Sequence, residues 1–190
     1  MSGNKVTFGL EKVHIAFLDD SGASPSWETP IAIPGAVGFT PSPEGDETKF
    51  YADNGLYFAA ITNDGYTADL EVALFPDEVI AEMLGWVIDD NGMLVEVADG
   101  RPKPFALLAQ IQGDKRPRRF VYYKCQAGRP SKEYTTKGET VDVATDTLNM
   151  TIMPVEVDGR RIVKGTIEKN EENATEFDGF FSDVLTPSIV

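Results

Sequence analysis

His14 and Cys125 are the only histidine and the only cysteine in the chain, and that scarcity decides much of the available chemistry. A Ser-His-Asp relay would have to use His14. It sits beside Val13, Ile15 and Phe17 in a strand-like pattern and reads as a structural residue. A metal site built from several His and Cys ligands has too few of both. The acidic turns Asp19-Asp20-Ser21-Gly22, Asn63-Asp64-Gly65, Asp89-Asp90-Asn91-Gly92 and Asp158-Gly159 lack the ligand spacing of a calcium loop. They read as turns whose residues tolerate positive φ or bond to their own backbone. The sequence has no glycine-rich phosphate loop and no dinucleotide fingerprint, and no pair of carboxylates stands out for glycoside hydrolysis. Lys115-Arg116-Pro117-Arg118-Arg119 is the one basic cluster. With Pro117 inside it, it reads as a solvated turn between strands; contact with nucleic acid or with an acidic neighbouring copy are the other readings. Neither enzymatic activity nor a cofactor is expected.

The chain has 190 residues, with 31 acidic against 17 basic side chains and a net charge of −14. That length suits one domain, able to bury roughly 70% of its unfolded surface. Free nucleic-acid binders are usually basic, because phosphate neutralisation supplies much of their affinity. An acidic wall could still conduct DNA without holding it; from charge alone, plain solubility is the favoured reading. A single cysteine allows no intrachain disulfide. The first apolar run, 13–18, is too short for a signal-peptide core or a membrane span, so a soluble protein folded in a cytoplasm is expected.

Short alternating runs broken by Gly, Pro, Asn and Asp predict a mainly β fold. In 66–74, Tyr66, Ala68, Leu70, Val72 and Leu74 fall on one face, and Thr67, Asp69 and Glu71 on the other. In 147–152, Leu148, Met150 and Ile152 alternate with Thr147, Asn149 and Thr151. Further strands are predicted at 5–10, 12–18, 31–40, 92–98, 104–112, 119–126 and 160–167. One short helix is predicted at about 77–85, opened by Pro76-Asp77-Glu78, striped by Val79, Ile80, Met83 and Leu84, and ended by Gly85. The stretch 41–63 is a long inter-strand loop rich in aromatics, either packed on its own domain or waiting for a partner. Residues 169–190 read as a C-terminal arm on a domain of 1–168.

Several segments resemble the major tail (tail-tube) proteins of long-tailed bacteriophages, especially those of Gram-positive hosts. They are NKVTFGLEKVHIAF at 4–17, the block at 33–58 with PEGD at 43–46 and FYADN at 50–54, and the runs at 65–78, 101–114, 123–131 and 145–154. They follow one another in that family's order over about residues 4–155. Residues 169–190 have no close equivalent.

The resemblance implies a β-sandwich or barrel-like tail-tube domain with a helix packed on one side. It implies hexameric rings that stack into a tube, a virion component assembled in the host cytoplasm without a membrane. Strands 31–40 and 66–75 would form an inner hairpin, with 41–63 reaching the adjacent ring through Glu44, Asp46, Phe50, Tyr51, Asp53, Asn54, Tyr57 and Phe58. Thr67, Asp69 and Glu71, joined by Thr147, Asn149 and Thr151, would line the lumen. Tyr66, Leu70, Val72 and Leu74 would face the core beneath the helix. Apart from the resemblance, Phe177, Phe180 and Phe181 in 169–190 read as a clasp on a neighbouring subunit, because three phenylalanines exposed together would be unusual; decoration of the exterior is the other reading. Implied partners are a tape-measure protein, a tail-tip initiator, a tail terminator, and genomic DNA passing through without specific binding. Two alternatives stand beside this reading. One is a monomeric β-sandwich carbohydrate-binding module using Trp27, Trp86 and the tyrosines. The other is a tube subunit of a phage-derived secretion or bacteriocin-like particle.

Overall fold

The computed structural model describes residues 4–22, 24–132 and 144–188. The strands run β1 (Thr7–Asp19), β2 (Ser26–Trp27), β3 (Ile31–Ala32), β4 (Ala36–Glu44), β5 (Glu47–Ala52), β6 (Gly55–Ile61) and β7 (Gly65–Val72). After helix α1 (Asp77–Leu84) come β8 (Val87–Ile88), β9 (Leu94–Val95), β10 (Phe105–Gly113), β11 (Arg118–Ala127), β12 (Ser131–Lys132) and β13 (Asp146–Ile152). The chain closes with β14 (Val155–Val157), β15 (Arg160–Ile162), β16 (Lys164–Glu168) and helix α2 (Ala174–Asp178).

The main sheet is antiparallel, in the order β2-β1-β10-β11-β13-β7-β4, with β3, β12 and β16 attached at its sides. β13 holds β11 only through Cys125, Gln126 and Ala127, while β16 takes β11 at Arg118 to Tyr122. The sheet therefore turns over on itself at β11. Its two halves face each other across one core, with Ile15, Phe17, Leu107 and Tyr122 on one side and Leu70, Val72, Leu148 and Ile152 on the other. Helix α1 closes that core with Val79, Ile80, Met83 and Leu84. The fold is mainly β, as the alternation predicts, and barrel-like, as the resemblance implies.

The β1–β10–β11 half is buried on both faces over Ile15–Leu18, Phe105–Gln110 and Arg119–Tyr123. A second cluster joins Ala16, Ala106, Leu108, Val121 and Tyr123 to Val155, Val157, Phe180 and Val184. A strand covered on both sides needs no polar alternation; Phe105 to Gln110 are accordingly all buried.

Helix α1 follows its sequence signals. Pro76 is extended (φ −61°, ψ 137°) just before it, and Asp77 and Glu78 sit at the positive end of its dipole. Gly85 ends it in the left-handed region at φ 71°, and an added Cβ would lie 2.5 Å from the Arg101 backbone nitrogen. Lys103 pairs with both Glu28 (2.7 Å) and Glu82 (2.6 Å), tying the helix to the segment after β2.

The structure corrects several expectations. Residues 5–10 and 12–18 are one strand, β1, kinked at register shifts beside Gly9 (φ 64°) and Lys12 (φ 54°). Residues 31–40 are not one strand, because Pro34 and Gly35 (φ 80°) break it into β3, which pairs β1, and β4, which pairs β7. Of 92–98, only Leu94–Val95 pairs. The stretch 41–63 is not a loop; its first residues finish β4 and most of the rest is the β5–β6 hairpin. Leu74 lies outside the core at 61% exposure, since β7 ends at Val72 and period two ends with it.

Residues 169–188 are no free arm. Phe177 and Phe180 are each 2% exposed, packed on their own domain. Phe181 stacks on the His14 ring and lies under the Arg119 guanidinium, so all three phenylalanines expected to clasp a neighbour make contacts within their own chain.

Candidate functional site

β4, β7 and β13 lie side by side in register, and period two sorts their side chains cleanly. Asp69 stands opposite Thr40 on one flank and Asn149 on the other. Thr67 pairs with Ser42 and Thr151, and Glu71 with Gly38 and Thr147. Ala68, Leu70, Val72, Leu148, Met150 and Ile152 point the other way, into the core. All six residues expected to form one polar face are thus brought together, and β4 extends the face with Gly38, Thr40 and Ser42. None of these nine positions carries an apolar or a cationic side chain.

The face is held by its own hydrogen bonds. Asn149 Nδ2 donates to Asp69 Oδ1. Thr67 Oγ1 donates to Glu44 Oε1 at 3.0 Å, and Thr145 Oγ1 to Glu71 Oε1 at 2.6 Å. A shallow depression crosses it between Thr40, Ser42, Thr67, Asp69, Asn149 and Thr151. Short side chains bonded along the sheet leave this surface smooth and acidic, with no nucleophile–base pair. Among the described residues no group of His, Cys, Asp and Glu is arranged to hold a metal ion.

The second feature is the β5–β6 hairpin. Asp53 (φ 51°) and Asn54 (φ 59°) form its two-residue turn, both left-handed as such turns require. The ribbon continues the β4–β7 pair outward, its two arms joined at the base by Thr62 N–H to the Asp46 carbonyl (3.0 Å) and Asp64 N–H to the Glu44 carbonyl (3.1 Å). Phe50, Tyr51, Leu56, Tyr57, Phe58 and Ile61 are 55–80% exposed. Glu44, Asp46, Phe50, Tyr51, Asp53, Asn54, Tyr57 and Phe58 therefore lie on one projecting element and its base. A two-stranded ribbon is marginal by itself in water. Large apolar side chains clustered in solvent mark a surface that gets covered.

The remaining chemistry-bearing residues are occupied. The His14 ring stacks on Phe181 at 4.5 Å, and its Nδ1 lies 2.9 Å from the Lys12 carbonyl. Trp27 Nε1 donates to the Tyr123 carbonyl at 2.9 Å, which removes it from a sugar platform. Cys125 is fully buried, and that burial pushes its thiol pKa far up. In the basic cluster Arg118 is exposed but Arg119 is 7% exposed, which the reading of a wholly solvated turn missed.

No protein-family model matches the sequence, and no curated protein does. Solved structures do match. A chain from the anti-feeding prophage cap, the AFP tube-terminating cap, superposes with a TM-score of 0.52 at 6% identity, over 89% of this chain and 96% of that one. A chain from the sheath–tube complex of an extracellular contractile injection system, PVC, in its extended state gives 0.49 at 9% identity, over 87% and 94%. Hcp1 from Salmonella typhimurium gives 0.34 at 11% identity, over 83% and 95%. The chain has the fold of the first of these, across nearly the whole of both.

Proposed function

We propose that this chain is a structural, non-enzymatic tube subunit. Copies close into hexameric rings, and the rings stack through the β5–β6 hairpin. The face of β4, β7 and β13 lines the lumen. The observation that carries this reading is the face itself: Thr67, Asp69, Glu71, Thr147, Asn149 and Thr151 on adjacent strands in register, with neither an apolar anchor nor a cation. Such a wall confines a polyanion and repels it, so genomic DNA passes without being held. The tail-tube resemblance of 4–155 favours a long-tailed phage of a Gram-positive host. The fold shared with a tube-terminating cap fits a tube component of any phage-like particle. Tape-measure, tip and terminator proteins are the partners a stacked tube of fixed length requires, because head-to-tail contacts by themselves grow open filaments.

Negative-stain electron microscopy of the purified chain across a concentration series tests this directly. Hollow tubes or six-fold rings are expected. A monomer that stays dispersed at high concentration, and also when mixed with isolated tail-tip complexes, would overturn it.

A further inference from the structure

The barrel is not closed on all sides. At one end, Leu10 of β1, Phe39 and Pro41 of β4, Ile111 of β10 and Phe120 and Tyr122 of β11 line an apolar recess with Lys164 of β16 at its rim. Phe39 stacks with Phe120 at 5.9 Å and meets Tyr122 edge-on at 5.4 Å, so the lining is a built aromatic cluster. Lys164 Nζ stands 5.1 Å from the Tyr122 ring centroid and 6.0 Å from that of Phe120. Lys164 has no ion pair among the described residues. Desolvation, and then the charge of Arg118, hold its pKa below that of an ordinary lysine. The recess is thus apolar and aromatic inside and cationic at its lip.

One described element has the converse chemistry. The stretch 44–64 carries Glu44, Asp46, Glu47, Asp53 and Asp64 against the single cation Lys49. Its strands present Phe50, Tyr51, Leu56, Tyr57 and Phe58, all more than half exposed. Phe50 and Tyr57 meet edge-on at 6.3 Å, forming a wedge of rings on an acidic ribbon. Six residues of β5, at about 3.3 Å each, give it a reach of about 20 Å. In its own chain this wedge is not seated, since its side chains remain in solvent.

We propose that the recess lined by Leu10, Phe39, Ile111, Phe120 and Tyr122, rimmed by Lys164, receives the β5–β6 hairpin of a second copy of this chain. The inference rests on the tube reading above and names the socket of its stacking contact. Aromatic rings fill the recess, and the ribbon's carboxylates meet Lys164 and Arg118 at its edge. Charge complementarity of this kind fixes orientation as well as attraction. Hairpin and recess are different surfaces, so each subunit offers one of each and the contact repeats head to tail.

The test is photocrosslinking of the full-length chain carrying p-benzoylphenylalanine in place of Tyr57, which is 75% exposed. Chains labelled with heavy nitrogen are mixed with unlabelled chains, assembled, irradiated and mapped by mass spectrometry. Crosslinks between heavy and light chains are expected at 10, 39–41, 111, 120–122 or 164. Tubes or rings whose crosslinks fall elsewhere, or only within one chain, would overturn the socket while leaving the tube reading standing. Recess crosslinks in a discrete dimer that never polymerises would uphold the socket and overturn the tube reading. No crosslink and no assembly, with the unsubstituted chain also dispersed in the presence of tail-tip complexes, would overturn both. As a second measure, Lys164→Glu should raise the concentration of half-assembly tenfold or more, while Lys164→Arg leaves it within about twofold. Circular dichroism of both variants should match the parent. Equal assembly of Lys164→Glu and parent would overturn the socket.

Discussion

The Arg119 guanidinium lies 4.0 Å from the centroid of the Phe177 ring and 4.6 Å from that of Phe181. Its Nε donates to Gln110 Oε1 at 2.7 Å, and its Nη1 donates to the Phe177 carbonyl. Gln110 in turn donates to Glu11. One buried cation from β11 thus fastens the C-terminal segment to the sheet by packing and by hydrogen bonds together.

Arg119→Ala removes both. A loss of about 2–4 kcal/mol is expected from the stacked cation and its charge-assisted bonds, read from urea denaturation. Limited proteolysis should then cut within 169–185, where the parent resists. Lysine should not restore the parent behaviour, because it lacks the planar fork that stacks and donates at once. An Arg119→Ala chain as resistant as the parent would show that the C-terminal segment is held by other contacts.

Alkaline pH should loosen the same region. Burial pushes the phenols of Tyr122 and Tyr123 each up to about 12; unfolded tyrosine titrates near 10. Between about pH 10 and 12 the native state therefore holds more protons than the unfolded state, and stability falls as pH rises. Below about pH 10 this contribution is fully present. Tyr123 also donates its hydroxyl to the Leu185 carbonyl at 3.0 Å. Tyr123→Phe should flatten the pH dependence of the urea midpoint in that window; an unchanged slope would remove Tyr123 as a cause.

Leu70 and Leu74 belong to the same alternating set in sequence and differ completely in environment, at 0% and 61% exposure. Leu70→Ala should cost about 2–5 kcal/mol. Leu74→Ala should change the unassembled chain by less than about 0.5 kcal/mol. Similar losses at both positions in the dispersed monomer would mean that β7 extends beyond Val72.

Asp69→Lys with Glu71→Lys should leave tubes intact, because both side chains lie on the solvent face of the sheet and the substitutions remove only the bonds from Asn149 and Thr145. DNA should then co-sediment with variant tubes at low salt and be released as salt rises, while parent tubes never retain it. In a particle that can be reconstituted, ejection should slow. Parent-like behaviour in both assays would remove these residues from the lumen.

Where period two was strict, the sequence was legible. The polar sets Thr67-Asp69-Glu71 and Thr147-Asn149-Thr151, and the helix ending at Gly85, needed only alternation, stripe and cap; that the two sets share one face came from the tail-tube resemblance. The β5–β6 hairpin was less visible because Phe50-Tyr51 and Leu56-Tyr57-Phe58 place apolar groups on both sides of a ribbon that has no buried face in the monomer. Its turn, Asp53-Asn54-Gly55, was the available signal. The C-terminal segment was misread for the opposite reason. Phe177, Phe180 and Phe181 sit at helical spacing, but their partner, Arg119, is 58 residues away from Phe177, and no local pattern announces a contact at that range.

β4 is the outer strand of its half of the sheet, and it contains Pro41 and Pro43. The Glu44 carbonyl accepts from Asp64, so that residue, and with it Ser42 and Thr40, turns its backbone toward β7. The two prolines then turn theirs outward, where they offer carbonyls and no amide hydrogen. A strand laid along this margin can zip fully only over 36–40 and finds half a ladder beyond. Sheet growth here has a built-in stop, so a misplaced or shifted strand cannot run the length of β4. Two missing hydrogens thus deny this margin a full-length partner strand.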